Sequence, residues 1–250
     1  MKIHIVTLFP GIVEGFFNNS IMKRAVESGT ISFDVIDFRS FATDRHHTCD
    51  DAPFGGGAGM VIKCEPLCAA LDSIGAKEKR VLFPSPSGRK FTQQYAEDLS
   101  KEEELVFICG HYEGIDQRVI DLYVDDEICI GDYVISSGEV ASLVIIDAVY
   151  RLIGGVISDE SLEEESFSDG LLEYPQYTRP ETYCSKKVPD VLLSGHHAKI
   201  GQWRLQKRLE KTLSCRPDLL ETASLDVNSR KILNELKEHS AKGTVDDGCN

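Results

Sequence analysis

Short apolar runs of strand length alternate with stretches of helical period through the first half of this sequence, and that alternation constrains the fold most. Lys2 to Leu8 reads as a strand entering a Pro10-Gly11 turn, and Ile12 to Val26 as a helix stopped by Gly29. Ile31 to Phe38 is strand-like, with Ile31, Phe33 and Val35 alternating. Pro66 opens a short helix that Gly75 closes, and Arg80 to Phe83 has the look of a buried strand. Another helix starts at Thr92, and Leu105 to Cys109 is the next short strand. Strands separated by helices predict an α/β layer with a mostly parallel sheet. A chain of 250 residues can bury such a core without disulfides or metals.

Ser136 and Glu139 have the spacing of a capping box ahead of an apolar helix from Val140 to Ile153. After Gly154-Gly155 the character changes. Ile157 to Glu173 holds seven acids and no base, which is a linker composition. Further helices are expected around Lys199 to Leu213 and Val227 to His239, followed by a polar tail. The expected organisation is an α/β domain over residues 1–157, an acidic linker over 158–173, and a small helical domain with its tail over 174–250.

The net charge of −14 argues against a uniformly basic coat, so a nucleic-acid partner would need a local patch. Residues 186–216 supply one, with eight Lys or Arg against two acids. Arg204, Lys207, Arg208 and Lys211 recur at helical spacing opposite Leu205, Leu209 and Leu213. Such a stripe is either a solvated face or a phosphate-tracking one. The eight cysteines stand singly without a CxxC pair, which fits neither a zinc ribbon nor a disulfide framework. The N-terminus lacks a signal-peptide plan, and the apolar run at Val140 to Ile146 is too short to span a bilayer. A cytoplasmic protein without a membrane partner is expected.

Four glycine-containing segments fall where strands should end: Pro53 to Met60, Ser85 to Gly88, Gly110 to Asp116, and Ile130 to Glu139. In open α/β sheets the crevice beyond the carboxyl ends of the strands is where ligands bind. Neither a GxxxxGK[ST] loop nor a GxSxG elbow occurs, and no GxGxxG follows the first strand. His46, His47, Cys49, Asp50 and Asp51 are metal-ligating types at no familiar zinc spacing. They form either a polar loop facing a substrate or the centre of a metal-dependent hydrolase.

Taken in order, seven strings carry a resemblance: LFP, DRHHTCDDAPFGGGAGM, SPSGRKF, GHYEGID, IGDYVISSGE, SFSDGLLEYPQYTRPE and VPDVLLSGHHAKIGQWR. Over residues 3 to 220 the chain resembles the bacterial tRNA (guanine-N1)-methyltransferases, the TrmD family of the SPOUT superfamily. The resemblance implies an α/β sheet domain tied in a deep trefoil knot, with S-adenosylmethionine held in the knot loops. It also implies a homodimer with an active site shared between subunits, and a small helical C-terminal domain that contacts tRNA. The reaction implied is methyl transfer to N1 of the guanine immediately 3′ of the anticodon. A non-catalytic RNA-binding protein on the same scaffold is the alternative.

Guanine N1 carries a proton at neutral pH, so its transfer chemistry needs a general base near N1 and a cation near O6. By resemblance the cation is Arg151 and the base is Glu165, with Glu113 near the methionine end and beside a magnesium ion. Glu165 stands where the family has aspartate; the extra methylene changes its reach by roughly an ångström, and Asp169 is a rival. Carry-over assigns the cofactor to Pro84, Ser85, Gly88, Gly110, Tyr112, Glu113, the run Ile130, Gly131, Asp132, Tyr133, Val134 and Ile135, and Gly138. For tRNA it selects Arg45, His46, Asp50, Gly59, Lys199, Arg204, Lys207 and Arg208. Ser137 and Ala141 depart from the family's usual glycine and proline.

Overall fold

The computed structural model describes residues 1–158 and 165–243. Residues 159–164 of the expected linker, and 244–250 of the expected tail with Cys249, lie outside the described residues. The chain divides into two compact units, Met1–Ser158 and Asp159–Asn250.

In the first unit the apolar runs become a five-stranded, wholly parallel sheet. Its strands are β1 (Lys2–Thr7), β2 (Ser32–Asp37), β5 (Arg80–Lys90), β6 (Glu104–Ile108) and β7 (Asp126–Cys129), in the order β2-β1-β6-β5-β7. A separate ribbon pairs β3 (Asp50–Asp51) with β4 (Val61–Ile62). Alternate residues of one strand feed different cores. Ile3, Ile5, Leu105 and Phe107 pack on one face, and Val6, Val106 and Ile108 on the other. Burial on both faces is why β6 reads as an unbroken apolar run from Leu105 to Ile108. The first face is covered by α1 (Pro10–Phe17), α2 (Ser20–Glu27), α4 (Gln93–Leu99) and α6 (Gly138–Tyr150), and the second by α3 (Cys64–Ser73) and α5 (Gln117–Tyr123).

Three local expectations change. The single helix over 12–26 is two helices, because the side chains of Asn18 and Asn19 donate to the carbonyls of Glu14 (2.8 Å) and Gly15 (2.6 Å) and close the first. The strand expected to stop at Phe83 runs on to Lys90, with a register shift between Pro84 and Arg89 that throws residues 85–88 out as a bulge. The capping box does not form. Ser137, not Ser136, is the N-cap of α6, and Glu139 turns into the protein instead of back to the backbone.

The second unit holds a short hairpin, β8 (Thr182–Tyr183) with β9 (Lys186–Lys187), then α7 (Asp190–Leu193), α8 (His197–Cys215) and α9 (Val227–Gly243). Its core is Leu171, Leu209 and Leu233, with Leu205 and Leu213 from the apolar side of the basic stripe.

Candidate functional site

All strands of the sheet run in one direction, and the bulge in β5 lies at the same end as the loops after β6 and β7. There they wall a cavity of about 600 Å³, within the size range of nucleotide-sized ligand pockets. The β5 bulge contributes Pro84 and Ser85, the loop after β6 Gly110, Tyr112 and Glu113, and the loop after β7 Ile130, Gly131, Tyr133, Val134 and Ile135. Gly138 closes the ring at the start of α6.

The closure depends on glycine. The Gly138 N–H donates to the Gly110 carbonyl at 3.0 Å. A Cβ at Gly138 would fall 2.4 Å from the Gly110 nitrogen, so any side chain would prise the start of α6 from the loop after β6. Gly59 has φ +85° and backs directly onto Glu113, where a Cβ would sit 2.3 Å from Oε1. The Glu113 N–H donates to the Met60 carbonyl (3.1 Å) and the Ile62 N–H to the Gly114 carbonyl (3.0 Å), so the 52–60 loop is tied to the pocket loop.

Two residues expected at the cofactor do not line the cavity. Asp132 is exposed, and Gly88 is a spacer: a Cβ there would meet the Glu127 and Ile128 backbone at 2.4 Å. The expectations also passed over lining residues, among them His111, Gln117 and Glu127. His111 belongs to the GHYEGID string, and Glu127 ends the acidic run Asp125-Asp126-Glu127 at the start of β7. The Ser87 hydroxyl lies 3.3 Å from the Glu127 carboxylate and 2.7 Å from Ser85.

Arg151 is the C-cap of α6, at the opposite end from Gly138. Thirteen residues of helix separate them by about 20 Å, so Arg151 does not reach the cavity wall that Gly138 forms in its own chain. Glu165 belongs to the second unit, where its carbonyl accepts from the Ser168 hydroxyl (2.9 Å). Asp169 is engaged by the guanidinium of Arg208 through both carboxylate oxygens, one at 2.8 Å, and accepts from the Leu171 N–H (3.2 Å).

Of the residues expected at tRNA, Arg45, His46 and Lys199 are exposed and Asp50 is half-buried on β3. Arg204 stacks over the Tyr174 ring at 4.6 Å, and Lys207 pairs with Glu210 at 2.5 Å. Arg208 is turned inward onto Asp169 and the Leu172 carbonyl, away from solvent. Among the described residues, no group of three or more His, Cys, Asp or Glu converges to hold a metal ion, the His46–Asp51 loop included. No helix among the described residues is long and apolar enough to cross a membrane.

The chain is similar to known proteins. A family model described as tRNA (Guanine-1)-methyltransferase TrmD matches residues 1–222. A tRNA (guanine-N(1)-)-methyltransferase of Treponema denticola is 63% identical over 223 residues, spanning 89% of this chain and 92% of the relative. Proteins of the same description from Borrelia duttonii (62% over 221 residues, 88% and 92% covered) and Treponema pallidum (57% over 223 residues, 89% of each) are similarly alike.

Proposed function

The chain belongs to the tRNA (guanine-1)-methyltransferase family, and on that premise we propose that it methylates N1 of the guanine immediately 3′ of the tRNA anticodon. The observation that carries the reading is the cavity where the β5 bulge meets the loops after β6 and β7, in a chain with such relatives. S-adenosylmethionine supplies an electrophilic methyl group on a sulfonium. The residues present fit it: closely packed glycine backbone at Gly110 and Gly138, apolar walls at Ile130 and Ile135, and the Glu113 carboxylate. We further propose that the chain between β6 and α6 is threaded as the trefoil knot implied by the family. The setting proposed is cytoplasmic.

In this reading Glu165 accepts the N1 proton and Arg151 offsets the negative charge that develops towards O6. Holding both against the methyl group is the larger part of the work, because misplacement by an ångström is costly. The distance of about 20 Å along α6 supports a cation supplied by a second copy, hence a homodimer with a shared site. The exposed apolar residues Val140 and Val144, one turn apart on α6, with Tyr133 and Val134, suit burial against that copy.

Labelled S-adenosylmethionine with tRNA carrying or lacking guanine at the target position tests the reaction. Transfer only to the guanine-bearing tRNA is expected, and binding without transfer would favour the non-catalytic alternative. The shared site is tested by co-expressing Arg151→Ala with the pocket-blocking Gly138→Val. Random mixed dimers restore about a quarter of the sites if each site draws on both chains, and none if each chain is self-sufficient.

A further inference from the structure

Glu139 has no part in the mechanism above, yet its carboxylate is completely buried. Thr7 Oγ1 donates to one of its oxygens. Ser137 Oγ donates to the other at 2.7 Å, and His111 Nε2 stands 2.5 Å from that same oxygen. A carboxylate only accepts, so Nε2 carries the proton. The Thr7 hydroxyl in turn accepts from the Phe9 N–H (2.8 Å), and the Phe9 ring packs on the His111 ring with centroids 4.6 Å apart. The end of β1, the loop after β6 and the start of α6 therefore converge on one buried charge.

A buried charge with several partners is rarely the most stable filling for a core; an apolar side chain of similar size often does as well or better. What it adds is a fixed relative position for the groups it binds. The residue after His111 shows what needs fixing. Tyr112 has φ +58°, the left-handed region that a tyrosine occupies only when its surroundings hold it there, and its side chain faces the cavity. Glu113 follows directly.

We propose that the Glu139–His111 pair is a positioning device for the cofactor pocket. It anchors the 110–114 turn to the start of α6 and so keeps Tyr112 in its left-handed conformation, with Glu113 beside it, before any ligand arrives. The inference rests on reading the cavity as the S-adenosylmethionine site.

The test uses the full chain, with S-adenosylmethionine binding followed by calorimetry and methyl transfer followed separately for cofactor and tRNA. His111→Phe keeps the ring on Phe9 and leaves Glu139 its two hydroxyl donors, but removes the hydrogen bond. Its Kd for S-adenosylmethionine should rise about tenfold, the scale of a hydrogen bond to a charged group, while KM for tRNA moves far less. His111→Gln places an amide donor near the same oxygen and should recover most of the affinity. Glu139→Ala should weaken cofactor binding at least as much; if it does not fold, the two His111 variants decide. The proposal is overturned if His111→Phe binds the cofactor as the wild type does, or if Phe and Gln weaken it equally. Wild-type protein that fails to bind S-adenosylmethionine would overturn the reading of the cavity itself, and the inference with it.

Discussion

Glu165 and Asp169 stand four positions apart in the same acidic stretch, and their environments differ. Asp169 is held by the forked guanidinium of Arg208 and by a backbone N–H, so three of its roughly four acceptor sites are engaged inside the second unit. Its role on this geometry is to tie the end of the linker segment to α8. Asp169→Asn should therefore cost roughly 1 kcal/mol of stability, the usual scale for a partly exposed pair, read as a lowered melting temperature with methyl transfer retained at moderate temperature. Glu165→Gln should do the opposite. Turnover should fall by a factor of roughly a hundred or more in a single-turnover assay, with S-adenosylmethionine binding intact. A dead Asp169→Asn beside an active Glu165→Gln would move the base to Asp169. The same pairing alters what is expected of Arg208: its removal leaves Asp169 without its cation, and should act on folding before it acts on tRNA.

At the scale of elements, the junction of the 110–116 loop with α5 carries a pH-dependent contribution. Asp116 is the N-cap of α5, accepting from the Arg118 N–H at 2.9 Å and from its guanidinium at 2.9 and 2.7 Å. The Arg118 side chain, above all, holds the Asp116 carboxyl well below the usual carboxylate range, against the opposing effect of burial. A depressed folded-state pKa adds stability that is fully present above the unfolded value, near 4, and is lost as pH falls through the folded one. Asp116→Ala should thus cost about 1 kcal/mol at neutral pH, with its gap from the wild type narrowing as denaturation is repeated below pH ~4. A gap independent of pH would mean that the cap acts through geometry alone. The same loop reaches β4 through the Asp116 N–H, which donates to the Ile62 carbonyl at 3.0 Å, so loosening the cap should also disturb the pocket wall.

Over the whole molecule the charge is divided unevenly. The chain carries −14 overall, yet residues 186–216, on and before α8, hold eight Lys or Arg against two acids. That division suits a protein that engages a polyanion at one locus while its acidic remainder discourages binding elsewhere. Of the stripe expected from the sequence, Lys199 is exposed and Lys207 can exchange Glu210 for a phosphate, whereas Arg208 is turned inward. Lys199→Ala combined with Lys207→Ala should weaken tRNA binding and make its dependence on log salt shallower by about one to two. An unaltered slope in a filter-binding titration would identify these lysines as an ordinary solvated face.

The sequence by itself determined the class of fold, because apolar periodicity is a local property that reports burial directly. Strands buried on both faces read as continuous runs, helices as stripes, and their alternation leaves little besides a parallel α/β sheet. It also placed the Gly110 and Ile130 segments after strands, which in a parallel sheet brings them to one end. What it left open were the polar partners. Glu139 has the spacing of a capping residue, but Thr7, 132 residues earlier, meets it in the folded core. Arg208 belongs to a basic stripe by periodicity, but Asp169, 39 residues away, takes its guanidinium. Gly88 and Gly138 look alike as letters, yet one is a spacer within the bulge and the other closes the cavity. Arg151 and Gly138 lie on one helix and face different ends of it. Burial follows from a residue's neighbours in the chain; the partner of a buried charge, and the backbone a glycine must admit, follow from segments that only packing brings together.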